Sequence, residues 1–165
     1  MGRTLVIGIG REQRGDDAAG RLVLRALVDR LPPGVEPVEE EGEAMALMER
    51  MEGFDTVHMI DACRSGAAPG TILRLEVSAA PLPELGFQVS THGMGLVEAV
   101  ELARALGRLP RRCILHAIEG ECFDFGAPVS PAVAAAVGEL ARRLLEELGV
   151  AGKGEDDDAR GRSGS

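Results

Sequence analysis

Carboxylates and one imidazole stand where this chain passes from one element to the next. Asp16 and Asp17 lie in "GIGREQRGDDAAG", residues 8–20, directly after the apolar run Leu5, Val6 and Ile7. Asp61 closes "DTVHMIDA", residues 55–62, and His92 lies in "STHGMG", residues 90–95. An aspartate of the pair, Asp61 and His92 come from three separate segments. Three protein ligands with positions left vacant can bind a cation and still admit a substrate. Nitrogen and oxygen donors without thiolate suit a borderline or harder divalent cation such as nickel, zinc or manganese.

Each residue also has a plainer use. Asp16 suits a helix N-cap and Asp17 the first helical position, uses worth about 1 kcal/mol each. One aspartate satisfies that need and leaves the other carboxylate for the rim, so capping and cation binding both stay open. Asp61 can simply begin a loop, and His92 can sit on the surface of a first helical turn. The glycine turn itself does not match a nucleotide site. Gln13 breaks the G-x-G-x-x-G spacing, and Asp16 and Asp17 replace the lysine and hydroxyl of a Walker turn. A phosphate would meet two carboxylates there.

His58 lies three residues before Asp61, so strand alternation turns the two to opposite faces. His58 and His116 are expected to be structural. Glu119 and Glu121 either border the same cleft or solvate a loop. Cys63, Cys113 and Cys122 are odd in number and lack C-x-x-C spacing, which argues for reduced thiols in or near the core. No histidine has an evident pairing role with Cys63, which disfavours a thiol protease.

The elements that must carry these residues alternate. Apolar runs predict strands over 4–9, 35–39, 55–62, 71–77 and 112–120. Helical spacing predicts helices over 16–31, 42–52, about 91–106 and 131–148. Pro37 places the second strand at an edge or a bulge. The expected fold is α/β, a three-layer sandwich with a mostly parallel twisted sheet of about five strands between helices. Sites in such sheets form beyond the carboxyl ends of the strands, where Asp16, Asp17, Asp61 and Glu119 all fall.

Residues 1–150 are expected to form a single domain, and the polar, Gly/Ser-rich residues 151–165 a disordered tail. A formal net charge of −9 and the lack of Trp and Tyr argue against nucleic-acid binding. No apolar run approaches a membrane span and no signal peptide is evident, so cytoplasmic residence is expected; a monomer is expected as well.

The segments "GIGREQRGDDAAG", "HMIDACRSGAAPGTILRLE", "STHGMGLVEAVELARALGRLP" and "AIEGECFDFGAPVSPAV" occur in an order that resembles the hydrogenase maturation endopeptidases over about residues 4–149. The resemblance implies an endopeptidase that removes a C-terminal extension from the large-subunit precursor of a [NiFe] hydrogenase after nickel insertion. It implies that Asp17, Asp61 and His92 engage nickel supplied by that substrate, a site other divalent cations can also occupy. Asp16 is then expected to position the site or to help the attacking water. Two positions depart from the family pattern: Arg11 stands where Asn is usual, and Ala18 where Gly is usual. Arg11 adds a cation near the site and keeps open a non-cleaving, metal-dependent binding or chaperone role.

Overall fold

A computed structural model describes residues 2–81, the backbone of 88–89, and residues 95–150. His92 and residues 151–165 lie outside the described residues. The strands are β1 (Thr4–Ile9), β2 (Val35–Glu40), β3 (Thr56–Arg64), β4 (Ile72–Glu76), the two-residue β5 (Gln88–Val89) and β6 (Arg112–Glu119). The helices are α1 (Ala19–Leu27), α2 (Ala44–Met51), α3 (Leu96–Ala105) and α4 (Pro131–Glu147).

The five longer strands lie in the order β2-β1-β3-β6-β4. β2, β1, β3 and β6 run parallel, and β4 is antiparallel to β6. β5 pairs antiparallel with the end of β3, Val89 opposite Cys63. Pro37 lies on β2, at one edge of this order, where its missing N–H costs no central ladder bond.

Strand alternation feeds two cores. Ile7, Met59 and Leu115 face α2 and α3, while Val6, Ile60 and Ile118 face α1 and α4. Both faces are covered, which is why β1 reads as an unbroken apolar run and β3 and β6 as apolar runs interrupted only by the buried His58, Asp61 and His116. The result is the expected three-layer α/β sandwich. No helix among the described residues is long and apolar enough to cross a membrane.

The segment expected as one helix over 16–31 is three pieces. Gly15–Ala18 is a 3-10 turn, α1 follows, and Val28–Arg30 is a second 3-10 turn. The first break lies where the chain is wedged against two strand ends. A Cβ at Gly20 would stand 2.2 Å from the Ile60 carbonyl oxygen and 2.3 Å from that of Ile9. Glycine thus lets the first turn of α1 rest on the carboxyl ends of β1 and β3. α2 starts under a side-chain cap, Glu43 accepting from the N–H groups of Met45 and Ala46. α3 begins at Leu96, with the Glu98 carboxylate accepting from the Gly95 N–H at 2.9 Å. The expected start near Thr91 falls outside the described residues.

Candidate active site

The carboxyl ends of β1, β3 and β6 gather four acids, and their contacts divide them. Asp16 is wholly buried. Its Oδ2 accepts from the Glu121 N–H (2.7 Å), the Cys122 N–H (3.0 Å) and the Ser130 hydroxyl (2.7 Å). Its Oδ1 accepts from the Ser130 N–H at 2.7 Å. Burial alone would raise this carboxyl's pKa, but the donors from Cys122, Ser130 and Glu121 outweigh it and hold the group below the usual carboxylate value. The expected N-cap role is corrected here. No side chain caps this turn, because the Asp16 carboxylate reaches away to the loop after β6 and the start of α4.

Glu119 plays a similar part on the neighbouring loop. It accepts from the Ser65 hydroxyl (2.7 Å), the Ser65 N–H (3.0 Å) and the Gly66 N–H (3.2 Å), and the Cys63 thiol points at it from 3.4 Å. Burial opposes its ionisation, but these donors prevail and lower its pKa. Sequence patterning left Glu119 between cleft and solvent; it is instead the buried anchor of the turn after β3.

Asp17 is different. Only 3 % of it is exposed. Its Oδ2 accepts from the Arg11 N–H at 3.0 Å, while its buried Oδ1 has no hydrogen-bond partner among the described residues. Gly10 makes this arrangement possible. Its φ is +148°, and a Cβ there would stand 1.9 Å from the Asp17 carbonyl oxygen. The glycine turn therefore folds back on its own acidic pair rather than around a phosphate.

Asp61, fully buried near the end of β3, accepts from the Ala62 N–H at 2.8 Å. β1 and β3 are adjacent and in parallel register, so Asp17, in the turn after β1, and Asp61, near the end of β3, belong to neighbouring strands. β5, which ends three residues before His92, pairs with Cys63, two residues beyond Asp61.

All three cysteines are free thiols. Burial pushes the Cys63 thiol upward, with the Glu119 and Asp61 charges adding to it, and burial pushes Cys113 up to about 12. Neither offers the thiolate a cysteine protease needs. Beside the glycine turn lies an open cleft of about 410 Å³, lined by Arg11, Arg14, Arg21, Glu41 and a Phe125 that is 75 % exposed.

His58 and His116 lie on the other face of the sheet, toward α4, and are buried. The facing nitrogens, His58 Nδ1 and His116 Nε2, are 2.9 Å apart. Their pairing and the nearness of Glu147 were not visible in the sequence. Ser130 was missed too. Standing just before Pro131, it reads as an ordinary cap of α4, yet its hydroxyl is given to Asp16.

The family model for hydrogenase maturation proteases (HycI) matches residues 34–147. The chain belongs to the hydrogenase maturation protease family. This makes it a peptidase of the processing type. Relatives in this family include the hydrogenase expression/formation protein HupD of Thiocapsa roseopersicina, 27 % identical over 159 residues, covering 93 % of this chain and 72 % of that protein. The hydrogenase 2 maturation protease of Escherichia coli K12 is 28 % identical over 153 residues, covering 91 % and 93 %. The maturation protease fold is shared in three dimensions with the hydrogenase maturating endopeptidase HybD of E. coli. That match has a TM-score of 0.74 and 28 % identity over 88 % of this chain and 91 % of that one.

Proposed function

We propose that this protease removes the C-terminal extension of a nickel-loaded [NiFe] hydrogenase large-subunit precursor, and that Asp17, Asp61 and His92 engage the nickel the substrate carries. The observation that carries the reading is the buried Asp17 Oδ1 without a hydrogen-bond partner among the described residues. A desolvated carboxylate oxygen is costly unless a cation or donor arrives to meet it. A metal held by the substrate would do so only when the correct precursor docks. The pairing of β5 beside Asp61 supports a place for His92 in the same set.

The nickel belongs to the substrate in this reading, so the protein needs no tightly held ion at the rim; other divalent cations suit the same donors. The cleft beside the glycine turn would seat the precursor's peptide, with Arg11 and the exposed Phe125 as its first contacts. Of the two roles expected for Asp16, its four donors support positioning, because they leave no lone pair convenient for an attacking water. The protein would act as a cytoplasmic monomer.

Mass spectrometry of a nickel-loaded precursor, incubated with the protein or with Asp17→Ala, tests the proposal. The expected result is a precursor shortened at its C-terminus only by the unmodified protein and only when nickel is present. Binding without shortening, across more than one precursor, would overturn it in favour of a non-cleaving chaperone. In that case Arg11→Asn is the first reversion to make.

A further inference from the structure

The face of the sheet under α4 holds a group of residues that the proposed peptidase chemistry does not use. His58 of β3 and His116 of β6 are each about 2 % exposed and project into the apolar core formed by α1 and α4. Their rings stack at a centroid distance of 5.2 Å and an interplanar angle of 26°. Glu147, in the last turn of α4, completes the group. One donor atom from each of the three residues lies within 4.8 Å of the others. We propose that His58, His116 and Glu147 form a binding site for a divalent transition cation of the zinc or nickel type, separate from the rim that carries Asp17 and Asp61.

The donor set is the first argument. Two imidazole nitrogens and a carboxylate oxygen suit zinc or nickel and are poor for calcium or magnesium, which take oxygen. The second is protonation. Burial drives the pKa of both rings down, His58 to about 4 and His116 to about 3, with Arg74 adding to the effect and Glu147 opposing it. Both rings are therefore neutral at pH 7, the form a metal takes. In the 2.9 Å contact one ring donates its N–H to the other. Coordination by both facing nitrogens needs the donor ring to move that proton to its other nitrogen, so the change is one of tautomer with no net proton released.

The three groups are also within reach of one ion. Metal–ligand bonds of about 2.0–2.2 Å put neighbouring ligand atoms roughly 3.3 Å apart. The facing imidazole nitrogens are already that close. Glu147 has only to turn inward, and its side chain is 22 % exposed, so it lies on the way in from solvent. Arg74 now pairs with Glu147, and Arg112 lies 3.7 Å from it. Arg74 stands directly opposite His116 in the β4–β6 ladder. A bound cation would take the carboxylate from Arg74, which keeps Glu76 at 3.6 Å as a partner. The ion would then tie β3, β6 and α4 together at one point.

Isothermal titration of the full chain with zinc and with nickel, alongside thermal unfolding, tests this. Four proteins are needed: the unmodified chain, Asp17→Ala, His116→Gln and Glu147→Gln. The expected result is one bound equivalent that persists in Asp17→Ala, is lost in His116→Gln and weakens at least tenfold in Glu147→Gln. Its binding should raise the unfolding temperature of Asp17→Ala but not of His116→Gln. Glu147→Gln alters a surface carboxylate, so it reports on the site even if His116→Gln does not fold. No binding to the unmodified chain, binding lost only in Asp17→Ala, or binding unchanged in Glu147→Gln would each overturn the proposal. None of these outcomes depends on whether the precursor is cleaved.

Discussion

The rim of the sheet and the α4 face both shut ionisable groups away from solvent and treat them in opposite ways. At the rim, Asp16 and Glu119 are ringed by N–H and hydroxyl donors, and their pKa values fall in spite of burial. Beneath α4, His58 and His116 meet apolar side chains and each other, and burial removes their charge. Burial does not by itself decide protonation; the supply of donors does. The rim also contains the same contrast within two residues. Among the described residues, Asp16 accepts four hydrogen bonds, whereas Asp17 accepts one and leaves a buried oxygen unmatched. One carboxylate holds loops together; its neighbour is the one the proposed function assigns to the incoming substrate.

The sharpest way to break this contrast is to remove each aspartate in turn. Asp16→Ala leaves the N–H groups of Glu121, Cys122 and Ser130 without their acceptor, that of Ser130 in a buried setting. At about 1–3 kcal/mol per unmatched group, partly relieved by relaxation, a loss of roughly 3–5 kcal/mol is expected in urea unfolding. Asp17→Ala removes one bond and one uncompensated oxygen. Its midpoint should move by less than about 1 kcal/mol, while precursor cleavage disappears. Equal destabilisation by the two changes would erase the distinction.

Acid should separate the two regions next. Burial holds both folded histidines well below the ordinary value of 6.5 that the unfolded chain recovers, His58 down to about 4 and its partner His116 lower still. As pH falls below 6.5, the unfolded state binds protons that the folded state refuses. Stability is full above 6.5 and is lost toward pH 4, by about 1.4 kcal/mol per pH unit for each ring. Glu147, Arg112 and Arg74 are the charges facing this pair. Asp16 and Glu119 have folded pKa values below the ordinary carboxylate values of 3.8 and 4.5, so their contribution is present above those values and lost only at more acid pH. Urea midpoints measured from pH 7 to pH 3 should therefore fall in two stages, histidines first. Replacing His58 and His116 together by Gln should flatten the first stage and leave the second.

The smallest effect should come from charges that are not buried. Arg142 bridges Glu139 and Glu146 on the solvent face of α4. Arg142→Ala should leave the urea midpoint unchanged within error, since exposed pairs of this kind contribute little.

Much of this architecture could be read from the chain. Leu5–Ile9, Val57–Ala62 and Cys113–Ile118 are apolar on both faces apart from His58, Asp61 and His116, and all are buried, as in central parallel strands. Val133, Leu140 and Leu144 keep helical spacing through α4. Once the sheet is parallel, Asp17 and Asp61 fall at its rim by topology alone. What could not be read depends on partners distant in sequence. The helix beginning at Asp16 breaks because Gly20 must fit beside Ile60, and Asp16 turns from capping because its donors lie more than a hundred residues away. The His58–His116 contact joins residues separated by 58 positions, and alternation alone shows only that each ring faces one side. β4 was expected as a strand, but its local pattern carries no sign of running antiparallel to β6.

The bonds from Asp16 to Glu121, Cys122 and Ser130 also set a timetable. During synthesis the chain leaves the ribosome from its amino end, so β1, α1 and β3 emerge long before the segment that holds Asp16. Until β6 and the start of α4 have followed, Asp16 lacks the donors that hold it. A half-made copy of this protease is therefore a copy without a finished rim, and the segment from Glu121 to Ser130 acts as the release on the turn after β1.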